Sequence, residues 1–450
     1  MKDSGTTLTD PHLGPGGPLG QLRLPTLTLV FGPDPSRFGE RIVPGGTPFP
    51  LDRVHPVFPG GPIPDQEVSR THAEIRQDPH THGFLLRDLG SKNGTFVNSR
   101  RVGGDGVALA RGDVIRIGDT LILFHETLSP PPPDAVVIPG ILGHSDAARS
   151  LRSAVARHAP GRLNVLLLGE TGTGKELAAR AIASLGRPGK PFLAFNAAAI
   201  PPGLVEATLF GHVRGAFTDA RESRPGLFRA ADHGTLFLDE VADLAPETQA
   251  RLLRVLEERA VLPVGGTQPI PVEVRLLAAT NRDLAAEVAA GRFRADLYAR
   301  LAAVVVRIPP LRERPEDIPV LATAFAMEAR PGGRGFSAMA MERLLAHPWP
   351  FNVRELKAIV EQAVVLSPEG RPVDLPKDVL GRLDEHARLF GEPAQPGKAL
   401  DRQTVEEALL RAQGNVARAA AALGKDRGQF YRLLRRLGVD LRRFRGGCGE

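Results

Sequence analysis

Between Leu27 and Phe124 apolar residues come in short bursts, LTLVF, HAEIR, FLLRDL, GTFV, VIRIG and TLILF, separated by Gly, Pro and Asp turns. Strands of that length and spacing predict an all-β sandwich of about 100 residues, here bounded as 25–125. The Gly-, Pro- and Thr-rich residues 1–24 predict a disordered arm. The prolines after Ser129, within 126–137, predict an extended spacer. From Ile138 the pattern changes. NVLLLG, PFLAFN, GTLFLD, VRLLAAT and AVVVRI alternate with helical stretches, which predicts a mostly parallel α/β sheet over 138–310. Past Pro309 the chain reads as helical and includes Trp349, a small helical lid over 311–375. Residues 376–399 read as a second linker. In 400–445, Thr404 to Gln413 predicts one helix, VARAAAAL after Gly414-Asn415 a second, and RGQFYRLLRRLG, capped by Asp426, a third. The fold class is therefore multidomain: a β-sandwich, an α/β domain with helical lid, and an all-α helix-turn-helix.

Two motifs place chemistry on the α/β part. GETGTGKE supplies Gly169, Glu170, Thr171, Gly172, Thr173, Gly174, Lys175 and Glu176. Its glycines let a loop wrap closely enough to aim backbone N–H groups at phosphate, with a helix N-terminus behind them. Lys175 would pair with the β/γ-phosphates. In LFLDEV a buried strand delivers Asp239 towards Mg²⁺ and Glu240 towards a water. Asn281, with Thr280, ends a core strand, where its amide either senses γ-phosphate or caps the strand. ATP and Mg²⁺ are the cofactors these motifs call for.

With LFGHVRGAFTDA between those motifs, and with FNAAAI, AATNRDL, GRFRADLYARL, PPLRERPEDI and WPFNVRELK after the first, the chain resembles the sigma-54-dependent transcription activators, the NtrC-like branch of the AAA+ ATPases. The resemblance covers roughly residues 138–375. It implies that Glu176 stands where other P-loops carry Ser or Thr, and that Asn196 holds and releases the catalytic Glu240. It implies that Arg294 and Arg300, by themselves ordinary surface arginines, reach a neighbouring subunit's site, and that Arg354 is a sensor on the lid. Gly215, Ala216, Phe217, Thr218, Asp219 and Ala220 then form the loop that touches sigma-54, with Phe217 as apolar anchor. Asp219 replaces that family's second glycine, and Phe351 replaces the glycine usual before Asn352.

VSRTHAEI followed by LGSKNGTFVN resembles the forkhead-associated (FHA) domain, a β-sandwich that binds phosphothreonine peptides. The resemblance implies a phosphate held by Arg53, Ser69 and Arg70, a peptide backbone held by Asn93, and loop bracing by His72 and Asn98. Asp52 stands where that family has glycine. GNVARAAAALG before a basic helix resembles the Fis-type helix-turn-helix, with Arg427, Gln429, Tyr431, Arg432 and Arg435 as candidate DNA contacts.

Composition alters this picture little. The formal net charge of +6 over 450 residues is mild. A single cysteine, Cys448, excludes an intrachain disulfide. No apolar run approaches the ~20 residues of a membrane span, and the polar start offers no export signal, so a cytoplasmic protein is expected. The expected function is ATP-driven remodelling of sigma-54 RNA polymerase holoenzyme at enhancer-like DNA sites. A hexameric ring would do the work, under control of a phosphothreonine protein or Ser/Thr kinase. The alternative, favoured by Asp219, is an ATP-dependent DNA-binding regulator or repressor acting without sigma-54. A phosphopeptide-controlled DNA-binding scaffold without catalysis is disfavoured by Lys175, Asp239, Glu240 and the paired arginines.

Overall fold

The structure is a computed structural model that describes residues 22–45, 48–78, 83–129, 137–217 and 220–390, together with Leu409 and Val416. The first 21 residues, the prolines after Ser129 and nearly all of 391–450, including the expected helix-turn-helix, lie outside the described residues. The chain divides into two units, residues 1–389 and 390–450. In the second, Leu409 and Val416 are helical and buried.

The N-terminal bursts fold into a sandwich of ten strands. They are β1 (Leu22–Phe31), β2 (Arg41–Ile42), β3 (Phe49–Leu51), β4 (Ala73–Gln77), β5 (Phe84–Asp88), β6 (Thr95–Val97), β7 (Arg100–Arg101), β8 (Val107–Leu109), β9 (Asp113–Ile117) and β10 (Thr120–Ser129). One sheet runs β2-β1-β10-β9-β6-β7, the other β3-β4-β5-β8. Each expected burst lands in a strand. The remaining strands β2, β3, β7 and β8 are only two or three residues long, too short to register as a pattern. Leu27, Leu29, Ile115, Ile117 and Ile122 point between the sheets and pack on Leu51, Ile75 and Leu86.

The opposite face of the first sheet is also covered. Val30, Val114, Leu121 and Leu123 join one apolar core with Leu311, Ile318, Leu321, Met341 and Leu344 of the helical lid. Buried on both faces, β10 reads as a continuous apolar run from Leu121 to Phe124, while β1 alternates leucine with buried threonines before Val30 and Phe31. At about 1.5–3 kcal/mol for each fully buried aliphatic side chain, these four are a substantial tie between the sandwich and the rest of the unit.

The α/β part opens with α1 (Asp146–His158), β11 (Val165–Leu168), α2 (Lys175–Gly186), β12 (Phe192–Asn196) and α3 (Pro202–Phe210). A small hairpin, β13 (Gly211–His212) and β14 (Arg224–Pro225), precedes α4 (Leu227–Ala230), β15 (Thr235–Asp239) and α5 (Pro246–Glu258). After a second hairpin, β16 (Ala260–Val261) and β17 (Ile270–Pro271), come β18 (Arg275–Thr280), α6 (Leu284–Ala289), α7 (Ala295–Leu301) and β19 (Val304–Arg307). The five longer strands pair in parallel in the order β12-β15-β18-β11-β19, so Leu168, Asn196, Asp239 and Thr280 end on one edge. Alternate side chains fill opposite faces: Leu166, Leu236, Leu238 and Leu276 on one, Val165, Leu167, Phe237 and Leu277 on the other.

The lid comprises α8 (Ile318–Ala329), α9 (Ala338–Ala346), α10 (Asn352–Leu366) and α11 (Lys377–Phe390). Here the structure corrects the expected boundary. Most of the stretch read as a linker is α11, whose Val379 and Leu383, one helical turn apart, are buried in the lid core. The prolines at 372 and 376 mark only the turn before it. Among the described residues no helix is long and apolar enough to cross a membrane.

Candidate functional site: a nucleotide cradle at the sheet edge

The loop after β11 turns on glycines that a side chain would not replace. Gly172 and Gly174 have φ of +81° and +104°, and a Cβ on Gly172 would stand 2.3 Å from the Phe351 carbonyl oxygen. Gly174 caps α2 without a side-chain bond, leaving the first amides of that helix for an anion. Lys175 is buried at the first helical position. Its Nζ donates to the carbonyls of Gly169 (2.9 Å) and Glu170 (3.2 Å) and lies 3.8 Å from Glu240 Oε1. Glu176 faces outward and pairs with Arg180 one turn on.

Asp239 ends β15, and Glu240 follows with φ +51°, a conformation unusual for a non-glycine residue and concentrated at working sites. Burial pushes the Asp239 carboxyl above its usual range, against the pull of Lys175. A half-buried carboxyl in that condition suits a cation, and Mg²⁺ with phosphate ligands needs only one or two protein carboxylates. Glu240 Oε2 accepts from the Asn281 backbone N–H (3.3 Å), with Thr280 Oγ1 at 3.5 Å. The Asn281 amide donates to Thr171 Oγ1 (3.2 Å), so it spans from β18 to the phosphate loop. Asn196 differs from expectation. Its amide reaches Asp239 Oδ2 (3.3 Å), not Glu240, because β12 and β15 pair Asn196 directly with Asp239.

Arg354 is exposed at the start of α10, and the Val353 and Arg354 amides both donate to the Gly172 carbonyl. Arg294 lies on the surface in a two-bond ion pair with Asp296 of its own helix (3.0 and 2.6 Å). Arg300 is exposed at the end of the same helix. Among the described residues neither guanidinium is hydrogen-bonded or ion-paired to the cradle.

Three residues of the site carry no role in the sequence reading. Asn352, fully buried at φ +57°, donates to Glu170 Oε2 (3.0 Å) and the Thr171 carbonyl, and accepts from the Leu311 amide (2.7 Å). Arg312 grips Glu170 with two bonds (2.8 and 2.7 Å) and holds its carboxyl below the usual range. Arg314, also buried, donates to the Thr173 carbonyl (3.0 Å). The signal was in PPLRERPEDI and WPFN, whose charged and amide side chains lie among otherwise apolar text.

Residues 141–307 match the profile of the sigma-54 interaction domain, 57–118 that of the FHA domain, and 312–389 that of an AAA+ ATPase lid domain. The response regulator protein PilR of Pseudomonas aeruginosa is 39% identical over 378 residues, covering 81% of this chain and 84% of PilR. The chain belongs to the sigma-54-dependent activator family. The transcriptional regulatory protein ZraR of Escherichia coli K12 is 46% identical over 298 residues, or 63% of this chain, and the match spans 66% of ZraR's length. A crystal structure of NtrX from Brucella abortus in complex with ADP is similar at 34% identity, with a TM-score of 0.49, covering 68% of this chain and 70% of NtrX. The chain carries an AAA+ ATPase domain with its lid, behind an FHA domain.

Gly215, Ala216, Phe217 and Ala220 lie between β13 and β14. Gly215 N–H bonds the Ala220 carbonyl (2.8 Å), Ala220 N–H bonds the Phe217 carbonyl (2.9 Å), and Ala216 lies in the same turn. The Phe217 ring is partly exposed, 5.0 Å from the His212 ring. Thr218 and Asp219 lie outside the described residues, as do Arg427, Gln429, Tyr431, Arg432 and Arg435.

At the FHA loops Arg53 and Arg70 are exposed. Ser69 Oγ accepts from the Lys92 amide (3.1 Å), and Asn93 donates to the Glu67 carbonyl and carboxylate (both 2.8 Å). His72 is fully buried: Nδ1 accepts from the Ser69 amide, Nε2 faces the Gly94 carbonyl, and burial lowers its pKa. Asn98 bonds Asp113 and Val114 across the sheet. Asp52 turns inward. Its carboxylate accepts from the Val54 and His55 amides and pairs with the His55 ring, so it faces its own turn rather than Arg53.

Proposed function

We propose that this protein is an ATP-driven transcriptional activator that remodels sigma-54 RNA polymerase holoenzyme from closed to open promoter complex. The observation that carries the reading is the convergence of Lys175, Asp239, Glu240, Thr280 and Asn281 on the phosphate loop at one edge of the parallel sheet. The loop amides and Lys175 bind the phosphates, Glu240 takes a proton from the attacking water, and Asn281 reports the γ-phosphate. Mg²⁺, held by Asp239, would supply charge neutralisation at the phosphates. Arg294 and Arg300 act on a neighbouring protomer's nucleotide in a ring, a hexamer by family likeness, an effect worth about 10³-fold or more in rate. Phe217 and its neighbours, including Thr218 and Asp219, engage sigma-54. The C-terminal basic segment holds the ring on upstream DNA. The FHA loops, through Arg53, Ser69, Arg70 and Asn93, read a phosphothreonine partner.

Asp219 favours a second reading, in which the same ATPase regulates transcription without sigma-54, since a charge in that loop alters its apolar contact surface. In vitro transcription with sigma-54 holoenzyme and with a holoenzyme carrying another sigma factor separates the two. Open complexes that need ATP, sigma-54 and Glu240 support the first. ATP hydrolysis with no sigma-54-dependent transcription replaces it with the second.

A further inference from the structure

The FHA sandwich touches both sides of the joint around the nucleotide cradle. On the core side, Arg41 of β2 bonds Asp146 at the start of α1 (2.5 Å) and the His144 carbonyl (3.0 Å), and the Leu128 amide of β10 bonds the same Asp146 (2.9 Å). On the lid side, the Ser99 amide and Arg116 of β9 bond the two oxygens of the buried Glu342 in α9 (2.5 and 2.8 Å). Arg41 and His125 also face Glu316, at 3.8 and 3.5 Å, in the strand of chain that leads from core to lid. That strand continues directly into the cradle. Within residues 311–317, Arg312 holds Glu170, Arg314 holds the Thr173 carbonyl, and Asp317 accepts from Ser145 and the His144 amide. The apolar seam of Val30, Val114, Leu121 and Leu123 against the lid helices closes the contact.

We propose that the FHA sandwich is a clamp across the core–lid joint, and that it slows the lid movement nucleotide exchange requires. A body bonded to both sides of a hinge resists rotation about it. Lid opening or product release limits turnover in many enzymes that close over their substrate, so the clamp acts as a brake on ATP hydrolysis. Among the described residues no hydrogen bond or ion pair ties Ser69, Arg70 or Asn93 to the lid, and Arg70 and Asn93 are exposed. The clamp rests on the ATPase reading but not on phosphopeptide binding.

The test uses the full chain. Arg116→Glu and Glu342→Arg each place like charges across the seam, and the double variant restores an opposite pair with its sign exchanged. Each single variant is expected to raise amide hydrogen exchange in residues 113–123 and 338–346. Each should also raise steady-state ATP turnover severalfold, since lid opening limits it. The double variant should return both towards wild type. Faster exchange at the seam with unchanged or reduced turnover overturns the brake. The unaltered chain offers a check that no folding defect can confuse: because the lid carries both the cradle contacts and the seam, a non-hydrolysable ATP analogue is expected to change exchange at those same segments. If the analogue is shown to bind and the seam is unmoved, the clamp is refuted whatever the variants do. Loss of ATP binding in the unaltered chain would instead fail the ATPase reading itself.

Discussion

At the scale of single residues, buried polar side chains rather than apolar ones decide how the lid meets the phosphate loop. Asn352 satisfies a buried backbone N–H and holds Glu170 from a left-handed conformation that asparagine tolerates better than alanine. Asn352→Ala strands the Leu311 amide and is expected to cost about 1–3 kcal/mol. A lowered Tm and weaker binding of a fluorescent ATP analogue check it. Glu316 offers a second test. Burial, with Asp317 beside it, pushes its carboxyl up to about 8, against the pull of Arg41, while burial holds His125 down at about 3. Arg41 lies closer to Asp146 than to Glu316, so desolvation wins and the Glu316–His125 contact is between neutral groups at pH 7. A carboxyl whose folded pKa is raised adds stability below its ordinary value near 4.5 and loses it as pH climbs through 8. Glu316→Gln should therefore gain stability over wild type between pH 5 and 9. The gain should reach a few kcal/mol at about 1.4 kcal/mol per pKa unit, read from denaturant midpoints across that range. Asp146, Arg314 and Asp317 also face this cluster, so a flat difference would mean that they, not Glu316, set its titration.

At the scale of elements, two structures behave unlike free-standing modules. The first FHA sheet is apolar on both faces, and the lid covers one of them. A fragment cut at residues 22–129 would expose Val30, Val114, Leu121 and Leu123 and is expected to self-associate in size-exclusion chromatography. Leu121→Thr with Leu123→Thr should return it to a monomer, and a monomeric unaltered fragment would show that the face tolerates water. The other element is the β13–β14 hairpin, which sets Phe217 beside the His212 ring. Phe217→Ala is expected to abolish sigma-54 open-complex formation while leaving basal ATP hydrolysis near wild type. Parallel loss of both activities would place the ring in the fold rather than in a contact.

At the scale of the whole molecule, the cradle of one protomer holds Lys175, Asp239 and Glu240 but neither Arg294 nor Arg300. Arg294 is instead tied to Asp296 on an exposed surface, an arrangement that a neighbouring protomer's nucleotide would have to compete with. Lys175→Ala and Arg300→Ala protomers, each inactive alone, should regain part of the wild-type ATPase rate when mixed, because each supplies what the other lacks. Mixed assemblies that form yet stay inactive at every ratio would rule out Arg300 acting on a neighbouring protomer's site.

Much of this was legible in the chain alone, for a definite reason. Five apolar runs, each ending in a polar residue or turn, determine a parallel sheet whose loop ends share one edge, and GETGTGKE and LFLDEV then bring Lys175, Asp239 and Glu240 together by local geometry. The FHA strands were readable for the same reason, since a run of alternating or continuous apolar residues between turns leaves few alternatives. What covers a surface is not local. The continuous apolar run in β10 requires burial on both faces, but only the tertiary structure pairs the outer face with the lid. Only there does Asn352 meet Glu170, does Asn196 meet Asp239 rather than Glu240, and does α11 join the lid. Those partners lie from 43 to 182 residues apart in the chain, and spacing along a sequence carries no information about which distant polar groups must satisfy one another.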